Sequence, residues 1–109
     1  MNMGTELRMK LHSELYNEEN IENLKNIILA GIDAVCIDIT DTEAQVDQSS
    51  MRILINKTAR SKLLPFESIR NIINLSFAKF LNDNGVQLTC PIELLCNVTS
   101  VNDQYIIGL

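Results

Sequence analysis

The sequence predicts an α+β fold in which an antiparallel sheet of about four strands is covered by helices, in the order α-α-β-β-α-β-β. Short segments in which apolar and polar residues alternate, typical of strands with one wet face, occur in two pairs. Between these pairs lies one long segment whose apolar residues recur at intervals of three and four, as in an amphipathic helix. Strands interrupted by a single long helix are typical of an α+β sandwich.

The length and composition indicate one domain. At 109 residues, of which 46% are hydrophobic, the chain can build one core and has little room for a second lobe. We therefore expect a single compact domain over residues 1–109. It is predicted to contain a helical region in 5–31, a hairpin in 34–57, a main helix in 65–84 and a C-terminal hairpin in 92–109.

The helical region is predicted to hold two helices. Leu7, Leu11 and Leu15 repeat every four residues and draw one apolar stripe along the first helix. The second helix has its own apolar stripe, and Gly31 is expected to end it because glycine readily adopts the left-handed conformation that closes many helices.

Two alternating segments predict the first hairpin. Residues 34–40 (AVCIDIT) and 51–56 (MRILIN) each read as a strand, joined by the polar residues 41–50 (DTEAQVDQSS). In the second strand, Ile53 and Ile55 share one face, whereas the alternation places Leu54 with polar residues on the other.

The main helix and the C-terminal hairpin have clear boundary signals. Pro65 suits a helix start, and the dipeptide Asn84-Gly85 suits a helix end. Residues 92–99 alternate again and are predicted to form a strand, followed by turn residues 100–103 and a terminal strand over 104–109 (QYIIGL).

The charge is unevenly distributed along an acidic chain of formal net charge −5. Residues 1–49 hold ten acidic and three basic side chains, whereas residues 50–79 hold six basic side chains and one acidic side chain. The acidic balance argues against a general attraction to nucleic acid or to an anionic membrane. No apolar run is long enough to span a bilayer, no signal peptide is visible and the three cysteines are expected to be reduced, so a cytoplasmic location is expected.

The basic segment is the first candidate site. It could contact a partner or a phosphate group, or it could be a solvated joint between a strand and the main helix. No glycine-rich phosphate-binding motif accompanies it. Its candidate contact residues are Arg52, Lys57, Arg60 and Lys62.

An acidic loop is the second candidate site. Its carboxylates could hold a cation or dock a basic partner, although the pattern of an EF-hand is missing and a solvated loop is the alternative. The residues are Asp38, Asp41, Glu43 and Asp47.

The C-terminal strand is the third candidate site. A short apolar terminal strand could be a sheet edge that pairs with a second copy of the chain, or it could lie inside the sheet. The candidate dimer edge consists of Gln104, Tyr105, Ile106 and Ile107.

No catalytic constellation is visible. His12 is the single histidine, and Cys36, Cys90 and Cys96 fit no metal-binding or redox spacing. We therefore expect no enzyme activity, no metal and no cofactor.

The leading hypothesis is a small cytosolic interaction protein that acts by protein–protein contact as a regulator or inhibitor. The twelve asparagines and fourteen isoleucines are encoded by AT-rich codons, which suggests an AT-rich bacterial, phage or plasmid genome and is compatible with a phage or mobile-element origin. One alternative is a small structural protein that assembles into oligomers, such as a phage connector or tail component. Another is a phosphate or nucleic-acid binding module that uses residues 52–62.

Overall fold

A computed structural model gives the architecture and describes residues 3–36 and 42–109. The predicted order α-α-β-β-α-β-β is confirmed within these residues. Single turns of 3₁₀ helix precede α3 and β3. The elements are α1 (Met3–Glu14), α2 (Glu18–Cys36), β1 (Ala44–Asp47), β2 (Arg52–Asn56), α3 (Phe66–Asp83), β3 (Asn97–Val101) and β4 (Gln104–Gly108).

The four strands form one antiparallel sheet in the order β1-β2-β4-β3. Ile53 of β2 stands opposite Val46 of β1 and Ile107 of β4, and Ile107 stands opposite Val98 of β3. Directly opposed residues place their side chains on the same face of a sheet. Because Ile53, Ile107 and Val98 are buried, this row lies on the face that the helices cover.

The helices α2 and α3 supply ten of the twenty buried apolar residues of the described core. Both are amphipathic, and their buried residues recur at intervals of three and four, as an apolar helical stripe requires. Together with the inner face of the sheet they form one buried cluster. The buried apolar residues of the two helices are Ile21, Leu24, Ile28, Ile32, Cys36, Ile69, Ile73, Phe77, Phe80 and Leu81.

The end of α3 confirms the signal at the asparagine–glycine dipeptide. Gly85 has φ +72°, the left-handed conformation that follows many helices. Just beyond it, the N–H of Val86 donates to the carbonyl oxygen of Leu81 at 2.9 Å, which satisfies one of the last helical acceptors.

Gly31 does not end α2, contrary to the expectation from the sequence. The helix continues to Cys36 because Ile28, Ile32 and Cys36 extend its buried stripe past the glycine. Gly31 instead marks a close approach of α2 to α3. A Cβ atom at this position would come within 2.9 Å of Ser76 Oγ.

The first strand of the sheet lies further along the chain than predicted. The prediction of a strand over 34–40 is wrong for residues 34–36, which are helical, and residues 37–40 lie outside the described part of the chain. The strand β1 lies within residues 41–50, the segment predicted to be a polar connection. A seven-residue stretch is too short for spacing alone to separate a strand from the end of a buried helix.

The strand β3 begins at Asn97, later than the predicted start at residue 92. Pro91 precedes a 3₁₀ turn over Ile92–Leu94, and the chain then buries Leu95 and Cys96 before the strand starts. The alternation of apolar and polar residues over 92–99, which predicts a single strand, therefore spans a turn followed by a strand.

The candidate dimer edge is not at an edge. The strand β4 is paired with β2 on one side and with β3 on the other, so the alternative of an internal position holds for its backbone. Tyr105 and Ile107 are buried in the core. Gln104 and Ile106 point to the opposite face of the sheet.

The core assignment predicts a large loss of stability for Phe77→Ala. The side chain of Phe77 is fully buried, and its removal should lower the free energy of unfolding by about 3–5 kcal/mol, measured by urea denaturation. Leu75→Ala is the matched control on the same helix, because the side chain of Leu75 is 72% exposed. That change should alter stability by about 0.5 kcal/mol or less, and equal losses for the two variants would contradict the assignment.

The close approach at Gly31 predicts that Gly31→Ala lowers stability by roughly 1 kcal/mol, although alanine is the better helix former. The new Cβ would lie 2.9 Å from Ser76 Oγ and 3.1 Å from Ile72 Cγ2. In a Ser76→Ala background the obstructing hydroxyl is gone, so the same change should cost less. A double-mutant cycle of unfolding free energies measures the difference, and the same cost in both backgrounds would count against the contact.

Candidate protein-interaction surface

The basic segment lies between β2 and α3, beside the turn that joins β3 to β4. Lys57 Nζ donates to Ser100 Oγ at 2.6 Å and to the carbonyl oxygen of Asn102 at 2.9 Å. Lys62 Nζ forms an ion pair with Asp103 at 2.8 Å. Hydrogen bonding and the charge of Lys62 lower the pKa of Asp103. Two of the candidate contact residues therefore face a turn of their own chain.

The other two candidate contact residues do not converge with them on a common point. Arg52 is paired with Asp47 at 3.4 Å and also donates from Nε to Ser50 Oγ at 2.9 Å. The side chain of Arg60 is exposed and forms no ion pair or hydrogen bond with another described residue. The structure therefore does not gather the four basic side chains into one phosphate-binding cluster.

The candidate acidic loop is described only in part. Asp38 and Asp41 lie outside the described residues, and Glu43 is exposed just before β1. Asp47 organises the turn between β1 and β2, because its carboxylate accepts hydrogen bonds from Ser49 Oγ at 2.7 Å and from Ser50 Oγ at 2.6 Å. These bonds hold the pKa of Asp47 well below its usual range.

The face of the sheet that the helices leave uncovered is an extended, continuous surface. A row of directly opposed residues crosses its centre, namely Gln45 of β1, Leu54 of β2, Ile106 of β4 and Thr99 of β3. Leu54 and Ile106 are half-buried by their neighbours but have no described element packed over them. We call this surface the uncovered sheet face.

Amide and hydroxyl groups surround the two aliphatic side chains. Gln104 Nε2 donates to Asn56 Oδ1 at 3.0 Å, and Thr99 Oγ1 donates to the carbonyl oxygen of Ile106 at 3.4 Å. A shallow hollow runs along Gln45 and Leu54 on this face. The centre of the uncovered sheet face therefore combines apolar contact area with neutral groups that both donate and accept hydrogen bonds.

The charged residues of this face lie along β1 and at one end of β2. They are Glu43 and Asp47, which flank or end β1, and Arg52, which opposes Asp47. The strands β3 and β4 carry no charged side chain within Asn97–Val101 and Gln104–Gly108. A surface whose middle lacks charge loses little hydration on binding, whereas burying a charge without a partner is costly.

Alternation alone already indicated Leu54, because it is an apolar residue in phase with the polar positions of its strand. The sequence alone did not indicate that Thr99 lies in the central row of the uncovered sheet face. Its position in the central row depends on the pairing of β3 with β4 and of β4 with β2. The pairing of β3 with β4 agrees with the predicted C-terminal hairpin, whereas the pairing of β4 with β2 does not follow from local spacing.

The α-helices also expose apolar side chains, which in the described part of the chain include Met9, Val35 and Leu75. Leu75 of α3 is 72% exposed and borders a groove along α2 that includes Ile27 and Ala30. In the sequence, Leu75 is an apolar residue that falls outside the periodic apolar stripe of the main helix.

The structure gives no support to a catalytic pair of His12 with a cysteine. The ring of His12 lies edge-on to that of Tyr16, with 5.0 Å between the ring centroids. Burial raises the pKa of Tyr16 and raises that of the Cys96 thiol to about 12, so this thiol is poorly suited to act as a nucleophile. In the described ranges, no three metal-binding side chains cluster.

No model of a known protein family, no curated protein and no solved structure matches this chain. Over the residues that the structure describes, no helix has the length and apolar character needed to cross a bilayer.

The hydrogen bonds at Asp47 predict a pH-dependent contribution to stability. Because the pKa of Asp47 is lowered in the folded chain, its ionised form stabilises the fold above about pH 4, and this contribution is lost as the pH falls. Asp47→Asn should lower the melting temperature relative to the wild type at about pH 7, and the difference should shrink towards about pH 2. Thermal unfolding followed by circular dichroism measures both values. A difference that is the same at both pH values would show that the charge of Asp47 does not stabilise the turn.

Proposed function

We propose that this protein is a small, non-enzymatic interaction protein that acts by protein–protein contact, as a regulator or inhibitor that occupies a surface of its partner. The uncovered sheet face is the contact surface in this proposal. The observation that carries it is the aliphatic pair Leu54 and Ile106, both half-buried, at the centre of that face.

The composition of the face supports this role. The centres of protein–protein interfaces are depleted in charged residues, whereas their rims are polar and open to solvent. Here the aliphatic pair is bordered by Gln45, Thr99 and Gln104, and the charged side chains are confined to one side. Neutral amide and hydroxyl groups can match either donors or acceptors of a partner.

The scaffold also supports this role. The side chains of the uncovered sheet face stand on strands whose opposite face is anchored in the core by Ile53, Ile55, Tyr105 and Ile107. Positions on a rigid sheet lose less conformational freedom on binding than positions on a mobile loop, which favours affinity.

Phosphate or nucleic-acid binding receives less support from the geometry. Lys57 and Lys62 are engaged by the β3–β4 turn, and Arg52 is engaged by Asp47. A phosphate group would have to displace these contacts, since only Arg60 among the four candidates forms none with the described residues.

The proposal is tested by Leu54→Lys, with Leu75→Lys as the matched control. Each variant places one lysine at an exposed or half-exposed leucine, but on opposite sides of the molecule. Each immobilised protein is used to capture proteins from a lysate of the source cells, and captured proteins are quantified against the wild type. Circular dichroism checks that both variants remain folded.

We expect a captured protein whose recovery is retained by Leu75→Lys and falls with Leu54→Lys, with affinity reduced by about 30-fold, as for a residue at an interface centre. Recovery that is lost with Leu75→Lys and retained by Leu54→Lys would place the contact on the helices and overturn the proposal. Recovery that is identical for all three proteins would also overturn it.

A further inference from the structure

The hydrogen bonds at the two ends of β4 show which of its backbone groups face β2. The N–H of Lys57 donates to the carbonyl oxygen of Asp103 at 2.8 Å. The N–H of Leu109 donates to the carbonyl oxygen of Met51 at 3.0 Å. Backbone groups point to alternate sides along a strand. The backbone N–H and C=O groups of Gln104, Ile106 and Gly108 therefore point towards β3.

The same alternation identifies the free backbone groups of β3. Its residues opposite Gln104, Ile106 and Gly108 bond to β4, which leaves the N–H and C=O groups of Val98 and Ser100 pointing away from the sheet. No other described residue forms a hydrogen bond with these groups. Ser100 and three other residues of β3 are exposed, whereas Val98, whose side chain belongs to the core, is buried.

The edge of β3 lacks the features that usually block pairing with another strand. Edge strands are commonly protected by charged side chains, proline, a bulge or a very short length. The segment Asn97–Val101 (NVTSV) has five residues, no charge and no proline, and it is rich in β-branched residues. It is therefore suited to accept a further strand.

The sequence of β3 is also compatible with its own copy in an antiparallel arrangement. A two-fold axis at Thr99 places Val98 of one copy opposite Ser100 of the other, so that every free backbone group of these residues finds a partner. The two Thr99 side chains then face each other, and threonine pairs are favourable in this position. No like charges are opposed anywhere along the five residues of the strand.

The other edge of the sheet is unfavourable for the same arrangement. A two-fold axis at Gln45 of β1 would place Glu43 of each copy opposite Asp47 of the other. Two pairs of carboxylates would then be opposed, which destabilises a strand pair. The distribution of charge therefore selects β3.

We propose that a second copy of this chain pairs with the edge of β3, so that two copies form one continuous antiparallel sheet. The arrangement is closed, because the two-fold axis uses the same edge of both copies. It places the uncovered sheet faces of both copies side by side.

The dimer would double the area of the uncovered sheet face. One sheet of about five residues by four strands measures roughly 17 by 19 Å, or about 320 Å². Two such sheets side by side approach the roughly 800 Å² per partner that specific interfaces bury. The pairing itself does not depend on the function proposed for that face.

Ser100→Pro and Ser100→Ala form the first matched pair of variants. Both remove the hydroxyl that accepts from Lys57, but only proline removes the outward N–H of residue 100. That N–H forms no bond to β4, so proline costs the single copy no bond of the sheet. Purified protein is studied by sedimentation velocity over a concentration series, with circular dichroism as the check of folding.

We expect the wild type and Ser100→Ala to form dimers, and Ser100→Pro to weaken dimerisation at least about 10-fold, because each copy loses one backbone bond to the other. A wild type that is monomeric at all concentrations would overturn the proposal. So would equal weakening by both variants, or growth of the wild type into polymers, which would indicate a head-to-tail contact.

Thr99→Lys and Thr99→Glu provide an independent test at the two-fold axis. Thr99 is exposed, so either change is compatible with a folded single copy. Each variant alone should be monomeric, because like charges face each other across the axis. An equimolar mixture should recover the dimer. A mixture that stays monomeric, or single variants that dimerise like the wild type, would overturn the proposal. Because only purified protein is used, these results do not depend on any partner of the uncovered sheet face.

Discussion

The one-sided burial of the sheet under α2 and α3 is the constraint on which the rest of the structure depends. Ile53, Ile107 and Phe77 belong to the same buried cluster, and each fully buried side chain of this kind contributes roughly 1.5–3 kcal/mol. Because side chains alternate along a strand, burial of one face commits the other face to solvent. The uncovered sheet face is therefore a direct consequence of how the core is built.

The basic segment follows from the same packing. The sheet brings the β3–β4 turn next to the start of the segment that leads into α3, and Lys57 and Lys62 then contact oxygen atoms of that turn. An exposed ion pair such as Lys62–Asp103 contributes little compared with the core, about 0–1 kcal/mol. These contacts position the connection between the sheet and α3, and they leave few of its charged groups free to bind a ligand.

The strand order connects the two surfaces that we propose to be functional. Since β4 is inside the sheet, its apolar residues build the core and the centre of the uncovered sheet face, while the edges fall to β1 and β3. The two edges differ in charge, with Glu43 and Asp47 on one and no charged residue on the other. Self-pairing through β3 and contact with another protein through the uncovered face can therefore occur together.

The sequence by itself determined the type and order of the elements. Pro65, Gly85 and the apolar spacing between them define α3, because helix starts, helix ends and amphipathic periods depend on residues within one or two turns. Alternation likewise determined which side chains of β2 share a face. It also marked Leu54 as an apolar residue on the solvent side, the part of the candidate site that could be predicted.

Only the tertiary structure decided where α2 ends, where β1 lies, which strand is an edge and what the basic residues contact. Lys57 and Ser100 are 43 residues apart in the chain, and Lys62 and Asp103 are 41 apart. Such contacts depend on the strand order, which is selected by the burial of the whole core rather than by neighbouring residues. For the same reason an apolar C-terminal segment that resembled an edge strand became the centre of the sheet, where both of its sides are paired.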